Sequence, residues 1–124
     1  MRMGVDVQDV SDVEESLHRF GIRYLTRFLT AREIATCDSA GEISPQAVAL
    51  HFAVKEATVK ALREFADECH WLDFEISTSM NGCAVSASPD ATDWLGRVGA
   101  RGVAVSGSVS AQRAWAWIVV NTEN

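Results

Sequence analysis

Between residues 4 and 7 the order glycine, valine, aspartate, valine alternates, which predicts a short strand with Val5 and Val7 on one face and Asp6 on the other. The period then lengthens. Val10, Val13, Leu17 and Phe20 recur at helical steps, a stripe that Ser11 and Glu14 open as a capping box and Gly21 closes. Thr30 and Glu33 repeat the box before a short helix through Cys37. After the polar stretch DSAGEIS, Ser44–Pro45 suits the N-cap and first turn of the longest helix, predicted from Pro45 to about Glu68. Its core-facing positions are Leu50, Val54, Ala57, Ala61 and Phe65.

The period returns to two at 72–78 and 83–88, two strands separated by the turn pair Asn81–Gly82. Ser88–Pro89 predicts another helix, ending near Val98, and residues 102–110 and 114–121 are β-rich. The predicted order is β-α-α-α-β-β-α-β-β. That is an α+β domain over residues 1–124, an antiparallel sheet packed against one long helix with shorter helices around it. Trp115 and Trp117 alternate with Ala114 and Ala116, so the two indoles share one face or a subunit interface.

Composition narrows the class. Apolar residues make up 48% and charged residues 23%, a globular balance. The apolar runs are too short to cross a bilayer and MRMGVDVQDV has no signal-peptide core, so a cytoplasmic protein is expected, without a membrane partner. Cys37, Cys69 and Cys83 have no ligand spacing, and adjacent Cys69 and His70 point apart on a helix, so inert thiols are expected. A net charge of −6 argues against nucleic acid as partner and leaves room for a local phosphate site.

The chain's only lysines, Lys55 and Lys60, flank Glu56 in HFAVKEATVKAL, whereas its nine other basic side chains are arginines. Glu56 and Lys60 share a helix face, either as a surface ion pair or as the margin of a ligand site. A carboxylate there, with Asp6 as a second, is what a hard cation and a phosphate need: carboxylates hold the metal and the ammonium neutralises phosphate oxygens.

Taken together, GVDV, RFLTAREI and HFAVKEATVKAL resemble, in order and spacing, the motifs of the holo-acyl-carrier-protein synthases, the small 4′-phosphopantetheinyl transferases. The resemblance is clearest over residues 4–62. It implies transfer of the phosphopantetheine arm of coenzyme A to a serine of an acyl carrier protein, in a homotrimer with sites between protomers. Asp6 and Glu56 match the family's Mg²⁺ ligands, and Lys60 its phosphate-contacting, catalytic lysine. Lys55 and His51 are expected to contact coenzyme A as well, and the proton acceptor is either Glu56 or a metal-bound water. Arg19, Arg23 and Arg27 form a basic stripe for an acidic carrier, or scattered solvated charges, since Gly21 breaks their register.

The sequence departs from that pattern near the expected ligand surfaces. LREFADECHW replaces a glycine-rich turn, Gly102 and Gly107 stand where late-strand histidines are expected, and Asp12 and His51 replace arginines. Two readings follow: an active transferase, or an impaired or repurposed relative that binds coenzyme A or a carrier without transfer.

Overall fold

The computed structural model describes residues 1–62, 69–79 and 82–122. Strand β1 (Arg2–Asp9) leads into helices α1 (Val10–Phe20), α2 (Ile22–Thr26) and α3 (Ala31–Cys37). A two-stranded ribbon, β2 (Asp38–Ser39) and β3 (Glu42–Ile43), precedes the long helix α4 (Pro45–Ala61). A 3-10 turn at Trp71–Asp73 enters the hairpin β4 (Phe74–Ser79) and β5 (Gly82–Ala87). Helix α5 (Pro89–Arg97) and strands β6 (Ala100–Val109) and β7 (Arg113–Thr122) complete the described chain. The main sheet has the order β1-β7-β6, and all its pairings are antiparallel. The predicted α+β architecture holds. Helix α2 and the β2–β3 ribbon were not anticipated, being too short to impose a period.

Three predicted helix starts can be checked atom by atom. Thr30 Oγ1 accepts from Glu33 N and Glu33 returns a carboxylate to Thr30 N, the full capping box. Ser44 and Ser88 cap α4 and α5 with proline in the first turn. The Ser11–Glu14 box is absent. Helix α1 starts at Val10, whose N–H donates to Gln112 O at 2.9 Å, so Ser11 lies within the first turn instead of ahead of it. Gly21 closes α1 at φ 61° as expected, but Phe20 is more than half exposed. Helix α4 ends at Ala61, with Leu62 as its C-cap at φ −104° and ψ 19°, short of the predicted end near Glu68; Phe65 and the Asn81 half of the hairpin turn lie outside the described residues.

Helix α4 lies on the inner face of the sheet, against β1 and β7. That face carries Ala114, Ala116, Ile118 and Val120, all fully buried, while Trp115 and Trp117 point away. Small residues bring the backbones together. A Cβ built at Gly4 would overlap the Ala57 carbonyl oxygen and stand 2.8 Å from Ala61 N, so only glycine lets α4 lie this close to β1. The close crossing decides which face of β1 is buried: Val5 and Val7 are exposed, and Asp6 is turned toward α4 and buried.

Gly4→Ala is expected to lower the urea midpoint sharply, by the equivalent of about 3 kcal/mol, because backbone must move to admit the methyl group. Gly102→Ala serves as the control, since its Cβ would meet only Asn121 Nδ2, at 3.9 Å. Equal midpoints for the two variants would refute the close-approach argument.

Candidate active site

Lys55 and Lys60 are five residues apart on α4, about 140° around its axis, so they serve different neighbours. Lys60 Nζ donates to Asp6 Oδ1 at 2.7 Å and lies 3.3 Å from Val5 O. The other Asp6 oxygen, Oδ2, accepts from Gln8 Nε2 at 2.5 Å. The Asp6 side chain is 8% exposed and that of Lys60 39%, so the pair sits at the edge of the core with its ammonium toward solvent. The surface Glu56–Lys60 pair is not formed. Glu56 lies one turn earlier, half-buried, and opens into a cavity of about 320 Å³ that it lines with Val59, Cys69, His70 and Trp71.

The structure therefore joins Asp6 to Lys60 and leaves Glu56 one turn away, bordering the same stretch of helix. Among the described residues no group of three or more His, Cys, Asp or Glu side chains is arranged to hold a metal. Two carboxylates remain a fitting donor set for Mg²⁺, which takes one or two from protein and completes its shell with phosphate and water. An ionised carboxylate has about four acceptor positions, so Asp6 keeps some free beside its bonds to Lys60 and Gln8.

Lys55 corrects the expectation of a coenzyme contact. Its side chain is fully buried and donates to Glu33 Oε1 at 2.6 Å and to Trp71 O at 3.1 Å. Burial pushes its ammonium below the ordinary lysine value, and the hydrogen bond and charge of Glu33 oppose that shift. Glu33 is equally buried and accepts further from Thr30 N and Ile76 N. The capping box of α3 was legible in the sequence; that its glutamate would also meet the Lys55 ammonium was not.

His51 is a second correction. It is 1% exposed, with Nδ1 2.8 Å from Ala47 O and 3.6 Å from Cys37 Sγ. A carbonyl can only accept, so Nδ1 carries the proton, and buried Nε2 has no hydrogen-bond partner. Such a ring packs in the core and is not presented to solvent. Burial and the Glu33 charge push the Cys37 thiol up to about 12, and burial and Asp73 push Cys69 up to about 11, as suits inert thiols.

The departures have local explanations. Gly107 faces α4, and a Cβ there would stand 2.8 Å from Leu50 Cδ1, so leucine occupies the space where a late-strand side chain was expected. Asp12, Arg19, Arg23 and Arg27 are exposed. Arg23 and Arg27 border one groove of about 690 Å³ with Ser16, Phe20, Tyr24 and Thr26, and the Arg19 guanidinium lies 5.4 Å from the Phe20 ring centre. The replaced glycine-rich turn, from Arg63 to Phe65, lies outside the described residues.

Comparison with known proteins gives one family. The profile of the 4′-phosphopantetheinyl transferase superfamily matches residues 2–105. A holo-[acyl-carrier-protein] synthase of Pelodictyon phaeoclathratiforme is 37% identical over 83 residues, 66% of this chain and 68% of that one. One from Helicobacter pylori strain ATCC 700392 / 26695 is 31% identical over 124 residues, 98% of each chain. Among solved structures, the Helicobacter pylori holo-[acyl-carrier-protein] synthase in complex with coenzyme A has a TM-score of 0.82 at 30% identity, covering 96% of this chain and 99% of that one. The Neisseria meningitidis synthase, at 22% identity and a TM-score of 0.84 over 98% of each chain, supports the fold alone.

Lys55→Met strands the buried Glu33 carboxylate and is expected to destabilise the chain by about 3–5 kcal/mol in urea unfolding. A loss below about 1 kcal/mol would mean the pair behaves like an exposed ion pair. Native protein treated with iodoacetamide at neutral pH should be alkylated first at half-buried Cys83, with Cys37 and Cys69 labelled only after unfolding. Peptide mass spectrometry reads the order, and early labelling of Cys37 would contradict its burial.

Proposed function

The chain belongs to the 4′-phosphopantetheinyl transferase superfamily, and from that premise we propose that it moves the phosphopantetheine arm of coenzyme A onto a serine of an acyl carrier protein. The observation that carries this reading is the Asp6–Lys60 contact at the β1–α4 crossing, with Glu56 one turn along the helix. Asp6 and Glu56 would hold Mg²⁺, which when bound would offset diphosphate charge. Asp6 fixes the Lys60 ammonium at the solvent edge, where it stabilises charge building on the diphosphate as the serine attacks. Glu56 has no hydrogen-bond or ion-pair partner among the described residues and is the proton acceptor for that serine.

The carrier docks on the exposed face carrying Arg19, Arg23 and Arg27, whose charge suits an acidic partner. Assembly is a homotrimer. Met3, Val5, Val7, Trp115 and Trp117 leave one face of the sheet apolar, with the two indoles stacked at 5.0 Å, and an apolar patch of this kind favours burial against another copy. The location is cytoplasmic, in keeping with the absence, among the described residues, of a helix long and apolar enough to cross a membrane.

The decisive experiment mixes the protein with coenzyme A, Mg²⁺ and an apo carrier and follows the carrier by intact-mass spectrometry. Addition of the phosphopantetheine mass, stopped by chelator, is expected. Asp6→Ala and Glu56→Ala should abolish turnover, and Lys60→Ala should lower kcat by about 10²-fold. Carriers left unmodified while coenzyme A binds would favour the non-transferring relative, a reading that the Leu50-filled notch at Gly107 supports.

Two further outcomes test docking and assembly. Reversing the charge of any two of Arg19, Arg23 and Arg27 should weaken carrier binding, as should added salt, with less effect on coenzyme A. Carrier affinity indifferent to both would reject the docking face. Light scattering at micromolar concentration should give three times the chain mass, and a monomer would reject the composite site.

A further inference from the structure

His70 enters a stretch of backbone held in place on its C-terminal side. Its conformation is extended, at φ −124° and ψ 147°, so neighbouring side chains alternate: Cys69 is buried and His70 is exposed. The His70 carbonyl accepts from Asp73 N at 3.0 Å, and the next carbonyl, Trp71 O, accepts from the buried Lys55 ammonium. The Trp71 ring packs edge-on against Phe28 and Phe52. The imidazole is thus presented from a fixed point to the Glu56 cavity, which it lines.

That cavity has room for a neutral donor beside the charges of the site. Glu56 lines it, Lys55 is committed to Glu33 inside the core, and Lys60 is fixed by Asp6 at the solvent edge. Among the described residues lining it, His70 and Trp71 carry polar N–H groups, and His70 is exposed whereas Trp71 is half-buried with its ring packed on Phe28 and Phe52. Neutral imidazole already carries one N–H, so no proton uptake is needed.

We propose that His70 is a substrate-contacting residue, whose ring N–H donates to an oxygen of the coenzyme A diphosphate lying beside Glu56. The proposal rests on the transferase reading for the identity of the ligand. It assigns a binding role to a residue outside the three motifs that carry the resemblance.

The test measures binding of coenzyme A and of 3′-dephospho-coenzyme A by titration calorimetry, alongside transfer kinetics, for wild type, His70→Ala and His70→Gln. His70→Ala should weaken both ligands about tenfold, the loss of one hydrogen bond to a charged group. His70→Gln, which keeps an N–H donor, should recover most of that affinity. KM for coenzyme A should rise in parallel, with kcat changed less than about twofold. Unchanged affinity for both ligands overturns the proposal. A penalty confined to coenzyme A moves the contact to the 3′-phosphate and overturns it too. If wild type binds coenzyme A through His70 but transfers nothing, the contact stands and the transferase reading falls. Full transfer with undiminished His70→Ala affinity does the reverse, and a wild type that binds no coenzyme A overturns both.

Discussion

The ion pair between Glu33 and Lys55 is the interaction on which the rest of the molecule is hung. Two unit charges are removed from water, a cost that hydrogen bonds to the charged groups must offset. Glu33 meets this by accepting from Lys55, Thr30 N and Ile76 N, and Lys55 by donating also to Trp71 O. One contact thereby ties α3, α4, β4 and the turn at Trp71. It makes the position of the Glu56 cavity, walled by α4 and that turn, a consequence of core packing.

The same requirement accounts for lysine in a chain that otherwise uses arginine. A compact ammonium meets a carboxylate and a carbonyl with one of its three N–H groups left over, whereas a planar guanidinium has five donors and would leave several unsatisfied. At position 60 the point charge reaches past the α4 backbone to Asp6 because Gly4 has let the helix settle onto β1. Lys60 is then held by a carboxylate while still facing solvent, a cation already oriented in the absence of ligand.

Several departures from the family pattern belong to packing. Leu50 fills the notch over Gly107, and His51 donates to Ala47 O inside the core. The described part of the site consequently has fewer free cations than its motifs suggested, consistent with a net charge of −6. What remains exposed is divided: carboxylate and imidazole at the Glu56 cavity, and Arg19, Arg23 and Arg27 on α1, α2 and the residue that follows.

Local rules settled much from sequence alone. The Thr30–Glu33 box and the Ser–Pro starts of α4 and α5 are properties of four or five consecutive residues, and the alternation in β7 is a property of the strand itself. Three motifs in order likewise sufficed to indicate the family. Sequence could not decide which face of a period turned inward. The alternation put Val5 and Val7 on one face and Asp6 on the other without saying which was buried; Asp6 lies beneath α4 because Gly4 beside it admits the helix backbone. Nor could it decide partners. Glu56 and Lys60 are neighbours by helical spacing, yet Lys60 bonds a residue 54 positions away, and Lys55 one 22 positions away. Periodicity fixes directions around one element, whereas a charge takes the nearest opposite charge that the packed fold brings within reach.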